Sequence, residues 1–535
     1  MDIQKDTSRV YKNNLSSYKQ NPESGAKFLI KRNLKELVQK VLKDANEFTH
    51  TNYIKLKALC SLQNIIVLAE HHIQEYLKDI MKVLVKFLDY DDPEIPNTCK
   101  RISELLGIYV SSEVYIPLAI SLIHDEEHKT APKSLTKLLT IFSIMIRGET
   151  PKTIEGYLDT IMKTVTSVEK TFEESEEVLS GLYYIAKELI NISGENISIY
   201  CRPIFSLLLT VQATNTAGKD NQNEIQKTML TLATYCGYSS IAELHANEVS
   251  MLLNEFTTNK SYKTWQKYSK DRLKFEIIVR NCGEGLSKFI DIILEILQSC
   301  VELNQDIEVR MDALVLVEFI ICLQFKDVQE KLKENAQLIL TKILIPSIVW
   351  KIGKPQIKIR KAGIINIYKL IENGLVTGDV LMKCFKELMP PIKSCLSDDW
   401  APDLRLAACK LAEKLFLEVR DHLEHIHISE NYQLLLERLD DSQDVIRVEI
   451  FKTFTVIFGA PALKESPSIF EYMVKAIFIH LDDQNEDVQM GAYNTLKFAA
   501  RINPAKIKEE AELALKKMKY PRKCQEIIQY AQELI

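Results

Sequence analysis

The chain has 535 residues and a formal charge of −5, and its 16 glycines and 16 prolines are about half the usual share. Hydrophobic residues make up 46% and charged residues 26%, which excludes wholesale disorder, while the weak net charge excludes a polyanion-binding surplus or an acidic solvating tail. Sheets need glycine and proline at their many turns and helix interiors exclude both, so the composition predicts an all-helical protein and rules out collagenous, Gly/Ser-linker and Pro-rich classes.

Residues 1–26 are polar and end in the punctuation Asn21-Pro22-Glu23-Ser24-Gly25, which predicts an N-terminal tail or a short exposed helix. No signal sequence is visible in Met1–Asn14. Eleven cysteines stand singly between Cys60 and Cys524 without a CxxC pair, so they read as reduced thiols of a cytosolic protein. The longest apolar run, Ala313–Phe325, is interrupted by Glu318 and too short for a bilayer, so no membrane span is expected.

From residue 27 to residue 535, helical periodicity runs almost without a break, and no segment alternates cleanly as a strand does. Leu88-Asp-Tyr-Asp-Asp-Pro93 reads as the turn of a helical hairpin, with Asp92 placed to cap and Pro93 to enter the first helical turn. Gln212–Asn223 reads as a long polar loop between helices. Lys260–Lys274 is basic and interleaved with aromatics: Lys260, Tyr262, Lys263, Trp265, Lys267 and Tyr268. That pattern offers a contact for an acidic protein surface or nucleic acid. The plainer alternative is an inter-repeat connection with Trp265 packed and the lysines wet, which a mildly acidic chain favours.

Five stretches then share one grammar: an apolar helix, a short acidic turn, and a second helix opening with a branched aliphatic residue and usually arginine. They are Asp306–Arg310, Pro355–Arg360, Asp399–Arg405, Asp441–Arg447 and Asp483–Gln489, and their last residues stand 50, 45, 42 and 42 positions apart. This is the period of HEAT-type hairpins, about 40–47 residues, and it divides the chain into roughly a dozen. Asp444 and Asp487 stand where a side-chain oxygen can cap the second helix. Val445, Val448, Phe451, Phe454 and Phe458 make an apolar face that only stacking on a neighbour buries. The prediction is an all-α chain, an α-solenoid of HEAT/armadillo-like hairpins continuous over 27–535.

Asp399 and Arg405, and Asp441 and Arg447, stand six apart. In HEAT proteins such pairs form a ladder of charge-assisted hydrogen bonds between turns. Asn304, Lys354 and Gln489 break the pattern, so the ladder is expected to be partial. Arg310, Arg360, Arg405 and Arg447 mark second helices expected on the concave side, with Asp399, Asp441, Asp444, Asp483 and Asp487 as rungs and caps.

Motifs for catalysis are missing. Gly218-Lys219 and Gly353-Lys354 lack the earlier glycine and the following Ser or Thr of a phosphate loop. His422, His425 and His427 are three and two residues apart, whereas a zincin places two histidines four apart, so they read as a solvated helix end. His71-His72 reads as a surface pair, and Trp350 and Trp400, at hairpin turns, as packing residues in preference to the alternative of binding hot spots. No catalytic, metal or cofactor site is expected.

Beyond the repeat grammar, several stretches resemble one family in the same order. They are Cys99–Tyr115, Ile343–Trp350 followed by Gly353, Leu434–Asp441, His480–Asp483 and Cys524–Gln532. They are similar to the C-terminal part of the HEAT-repeat dynein axonemal assembly factor family, from about Gly25 onward. The resemblance implies a non-enzymatic scaffold for preassembly of dynein arms, in the cytoplasm of ciliated or flagellated cells. It implies axonemal dynein intermediate and heavy chains, chaperones and other assembly factors as partners, with neither nucleic acid nor membrane. A different HEAT scaffold, such as a nuclear-transport receptor or a phosphatase scaffold subunit, is the alternative.

Overall fold

The computed structural model describes residues 25–125, 131–214 and 219–535. Among them every regular element is helical. The expected tail falls outside the described residues up to 24, and a helix already opens at Gly25 (Gly25–Arg32). The chain divides into two compact units, Met1–Glu248 and Val249–Ile535.

Within the N-terminal unit the second helices of successive hairpins stack in order: Asn52–Ala69, Glu94–Tyr109, Pro132–Ile146, Glu176–Ser193 and Lys219–Tyr235. Leu34–Asn46, Leu77–Phe87, Leu158–Thr171 and Cys201–Thr214 belong to the other layer. Apolar residues at three- and four-residue spacing face inward on both layers, and Phe87, Phe142 and Phe205 are fully buried between them. Two helices approach closely at Gly107, where a Cβ would collide with the Met145 carbonyl. Glu176–Thr214 is long and apolar enough by composition to cross a membrane, more so than the run at Ala313. Over half of it is buried, and Gly194, at φ +54°, turns the chain between two helices that pack on each other.

The C-terminal unit repeats the plan with Lys270–Asn281, Ile307–Ile321, Lys354–Glu372, Pro402–Val419, Asp444–Phe458, Glu486–Ala500 and Arg522–Leu534 in the stacked layer. Ile290–Cys300, Ala336–Ile348, Gly378–Leu396, Pro467–Ile479 and Pro504–Leu515 face them.

Proline matters more than the aspartate-rich turns suggest. Pro132, Pro151, Pro355, Pro402, Pro467 and Pro504 each occupy the first turn of a helix, where a missing N–H costs nothing. The expected caps are shifted. Asp444 is the first helical residue, with Gln443 at the cap position, and Asp487 lies inside its helix, capped instead by Asn485. Asn485 Oδ1 accepts from the N–H groups of Asp487 and Val488 at 2.9 and 3.3 Å. The expected face of Asp444–Phe458 is also rotated. Phe451, Phe454 and Phe458 are buried, but Ile446, Ile450 and Ile457 complete the core while Val445 is exposed. A helix packed on both flanks buries more than one stripe. The polar stretch 212–223 is largely helical instead of a loop, since helices run to Thr214 and from Lys219, with 215–218 outside the described residues.

Candidate interaction surfaces

The aspartates and arginines of the repeat meet at the turns of the C-terminal unit. Arg360 Nη1 donates to Asp398 Oδ2 at 2.8 Å. Arg405 donates through Nε and Nη2 to both oxygens of Asp441, at 2.7 and 2.8 Å. Arg447 Nη2 reaches Asp483. Each arginine thus bonds to the acid of the next turn. Arg405 also binds the Asp398 carbonyl at 2.8 Å, and Arg447 the Leu439 carbonyl at 3.0 Å, in the turn just before its own helix.

The rung acid has two roles. Asp398 Oδ1 accepts from Trp400 N and Ala401 N, Asp441 Oδ1 from Gln443 N, and Asp483 Oδ1 from Asn485 N. One rung acid therefore shapes its own turn and holds the preceding repeat. The expected rung Asp399 is replaced by its neighbour Asp398, because only that residue starts the turn; Asp399 itself is exposed. At the irregular positions the ladder changes chemistry. Arg310 Nη1 meets Gln356 Oε1 at 3.3 Å, and Gln489 Nε2 meets the Asp483 carbonyl at 2.5 Å. Sequence reading passed over one rung, Arg272 to Asp312 at 2.7 Å, because no acidic turn stands at the usual offset before Arg272.

These groups are buried. Arg360 is 1% exposed, and Arg310, Arg405 and Asp441 are likewise inside. Burial pushes the Asp441 carboxyl up, but hydrogen bonds from Arg405 and from Gln443 N outweigh it and leave it below the usual carboxylate range. Arg310, Arg360, Arg405 and Asp441 are thereby structural, and unavailable to a partner.

Of the candidate partner patch, Tyr262 (3% exposed) and Trp265 (4%) are buried, which removes both rings from the contact reading and agrees with the plainer one, Trp265 packed and the lysines wet. Trp265 packs edge-on against Phe256 and Tyr262 and tilted against Phe275, and Tyr262 Oη donates to Glu295 at 3.1 Å. Large aromatic area is better buried than wet, and the short helix Ser261–Thr264 folds both rings inward. Lys260, Lys263, Lys267 and Tyr268 stay exposed, with Lys267 3.6 Å from Glu308.

The outcome is opposite for the other two tryptophans. Trp350 is 57% exposed and Trp400 is 88% exposed, so neither is a packing residue. Their turns are spanned by the Arg360–Asp398 rung, which leaves the indoles outside. A second exposed feature is a groove of about 560 Å³ between Asp444–Phe458 and Glu486–Ala500, lined by Val445, Val448, Asp444, Asp487, Met490 and Gly491 among others. Asp444 and Asp487, displaced from capping, thus end at one groove.

The histidines are dispersed. His427 Nδ1 accepts from Glu424 N at 3.0 Å, His425 contacts Ser466 Oγ, and His422 lies 3.6 Å from Asp379. Among the described residues no group of three His, Cys, Asp or Glu side chains gathers at metal-binding geometry. The cysteines are free thiols, and burial pushes Cys99, Cys282 and Cys409 up to about 12, where thiolate chemistry is suppressed.

Stacked hairpins joined turn to turn by Arg–Asp rungs define an all-helical protein of the HEAT-type α-solenoid class. Residues 13–215 match the family model described as "Dynein axonemal assembly factor 5, HEAT-repeat domain". The mouse protein named dynein axonemal assembly factor 5 is 24% identical over 97% of this chain, and the human protein 23% identical over 96%. Over residues 13–215 the chain is similar to that HEAT-repeat domain, and proteins of that name are its homologues over nearly its whole length, from before the Gly25 start read in the sequence. It spans about 60% of the length of those curated relatives. Similar solved structures include Kap121p bound to Ste12p (TM-score 0.41, 10% identity, covering 90% of this chain and 46% of that one). Importin beta is another (TM-score 0.39, 11% identity, 97% and 64%).

Proposed function

We propose that this chain is a non-enzymatic HEAT-repeat scaffold for the cytoplasmic preassembly of axonemal dynein arms in ciliated or flagellated cells. Its partners are dynein intermediate and heavy chains, held together with folding chaperones and other assembly factors. The observation that carries this reading is similarity to dynein axonemal assembly factor 5 along 96–97% of the chain. The architecture supports it physically. Stacked hairpins expose long rows of turns and helix faces on which large partners can be held side by side.

The test is affinity purification of the tagged full chain from cells building motile cilia, with quantitative mass spectrometry. Axonemal dynein chains recovered together with chaperones are the expected result. Recovery of a nuclear GTPase and transport cargo, or of phosphatase subunits, in place of dynein chains would overturn the reading.

A further inference from the structure

Two of the three tryptophans point into solvent on neighbouring turns of the C-terminal unit. Val349, Trp350 and Ile352 are exposed on the turn before Lys354–Glu372, with Ile352 86% exposed, and Trp400 is exposed on the turn before Pro402–Val419. The turns abut: Arg360 bonds to Asp398, and the Cys395 thiol faces the Ile348 carbonyl at 3.9 Å. Nothing in the fold needs these apolar side chains outside. The first turn is set by Gly353, at φ +119°, and by Pro355 in the first helical turn, and the second by the Asp398 side chain. Isolated exposed apolar residues are ordinary, but indoles on adjoining turns, with a branched aliphatic beside one of them and the backbone already fixed in place, have the anatomy of a binding hot spot.

The charge around the Trp350 turn is one-sided. Between Glu334 and Glu372 the sequence holds no Asp or Glu, but Lys342, Lys351, Lys354, Lys358, Arg360, Lys361 and Lys369. Three of these are neutralised, by Asp398, Asp403 and Glu318. Lys351, Lys354 and Lys358 are exposed and make no ion pair among the described residues, and they flank Trp350 and Ile352. The ridge continues to the loop bearing Lys260, Lys263, Lys267 and Tyr268, which Gln305 Nε2 joins to the following turn through the Lys263 carbonyl at 3.1 Å. There Glu302, Asp306 and Glu308 dilute the positive charge, so the centre lies at Trp350.

We propose that the Val349–Gly353 turn, with Trp400 on the next turn, is a docking site for an acidic, aromatic- or leucine-bearing segment of a partner protein. The proposal deepens the scaffold reading and rests on it. Carboxylates of the segment pair with Lys351, Lys354 and Lys358 at the rim, while its apolar side chains cover Trp350, Ile352 and Trp400. A nucleic acid fits less well. A polyphosphate needs a sustained positive track, and this one ends at Asp398 and Asp399, on a chain whose net charge is −5.

The test is selection of a random peptide phage library, with inserts of about twelve residues, on the full chain. The expected consensus combines Phe, Trp or Leu with Asp or Glu. A fluorescein-labelled synthetic copy should bind about tenfold or more weakly to Trp350→Ser/Ile352→Ser and to Lys351→Glu/Lys354→Glu. All four residues are exposed, so thermal melting should match wild type. A single-stranded oligonucleotide of similar charge should fail to displace the peptide. A selection that yields no acidic-apolar consensus, equal binding by both variants, or displacement by the oligonucleotide overturns the proposal. Its failure is separable from that of the scaffold reading. Peptide binding without recovery of dynein chains from ciliating cells sinks only the dynein assignment. Dynein recovery undiminished by Trp350→Ser/Ile352→Ser sinks only the docking site.

Discussion

In the N-terminal unit side chains along the helices join successive hairpins; the C-terminal unit adds a periodic set of polar bonds at its turns. Arg147, just past Pro132–Ile146, bonds to Glu188 at 3.0 Å with its side chain half exposed, and Tyr183 Oη meets Thr228 Oγ1 at 3.1 Å. Thr210 Oγ1 donates to Glu169 at 3.0 Å. Against these, Arg360–Asp398 and Arg405–Asp441 are buried, turn-shaping and periodic. The difference teaches where register is set. A buried guanidinium–carboxylate pair tolerates one partner geometry and penalises every other, whereas half-exposed pairs and hydroxyls leave register to apolar fit.

The largest effect follows from the buried rung. Arg405→Met leaves Asp441 inside the protein with Arg438, at 3.5 Å, as its one charged partner among the described residues. The cost should be about 3–5 kcal/mol. Arg405→Met/Asp441→Leu should recover most of it, because no charge is then stranded. All three tryptophans lie in the C-terminal unit, so denaturant unfolding followed by their fluorescence reads this unit alone. A single-mutant loss below about 1 kcal/mol would erase the contrast with exposed pairs.

Next comes apolar fit in the N-terminal unit. Gly107→Ala places a methyl group against the Met145 main chain, which cannot step aside as a side chain can. The loss should approach the upper end of overpacking costs, about 3 kcal/mol. Hydrogen exchange should show it in Glu94–Tyr109 and Pro132–Ile146, with tryptophan fluorescence unchanged. Wild-type protection there would show that this interface is looser than its geometry.

A third, somewhat smaller effect is pH-dependent. His245 is fully buried against Phe205, its ring centroid 4.9 Å away, and neither ring nitrogen has a hydrogen-bond partner among the described residues. Burial lowers it to about 4. Between that value and the ordinary 6.5 the unfolded chain binds the extra proton, so stability is lost as pH falls through this window. At pH 5 the loss is roughly 2 kcal/mol. His245→Leu should remove this share of the acid sensitivity. Parallel pH profiles for variant and wild type, by hydrogen exchange in Ile241–Glu248, would count against it.

The same contrast explains what could be read from the sequence. Turn-based rungs recur at Arg360, Arg405 and Arg447 with nearly constant spacing, so the C-terminal repeats were visible as a pattern of letters. The N-terminal unit has no such marker; only the Leu88–Pro93 turn showed, because Tyr183–Thr228 and Gly107–Met145 are contacts between unrelated residue types. Even in the legible half, choosing Asp398 over Asp399 or Asn485 over Asp487 depends on a shift of one or two residues in where the helix starts. Several adjacent polar residues can cap, so composition does not decide it. The tryptophans were least legible. Trp265 and Trp350 both stand in basic, turn-like surroundings, yet one is buried and the other exposed.

The smallest effect sharpens the comparison most. Arg147→Met removes an arginine that bonds to Glu188 and approaches Glu104 at 3.8 Å, the same kind of charge as at Arg405. Here the guanidinium is 54% exposed and already hydrated, so its loss admits water to Glu188 instead of stranding it. The expected cost is about 1 kcal/mol or less. Added salt should shrink it further, since screening acts on exposed pairs and hardly reaches buried ones. With both variants followed by hydrogen exchange in their own units, Arg405→Met should keep its full cost in the same salt series. If Arg147→Met matched Arg405→Met in size and in salt insensitivity, burial would not separate the two units. The ladder would then be a regular arrangement of ordinary ion pairs, with no special hold on register.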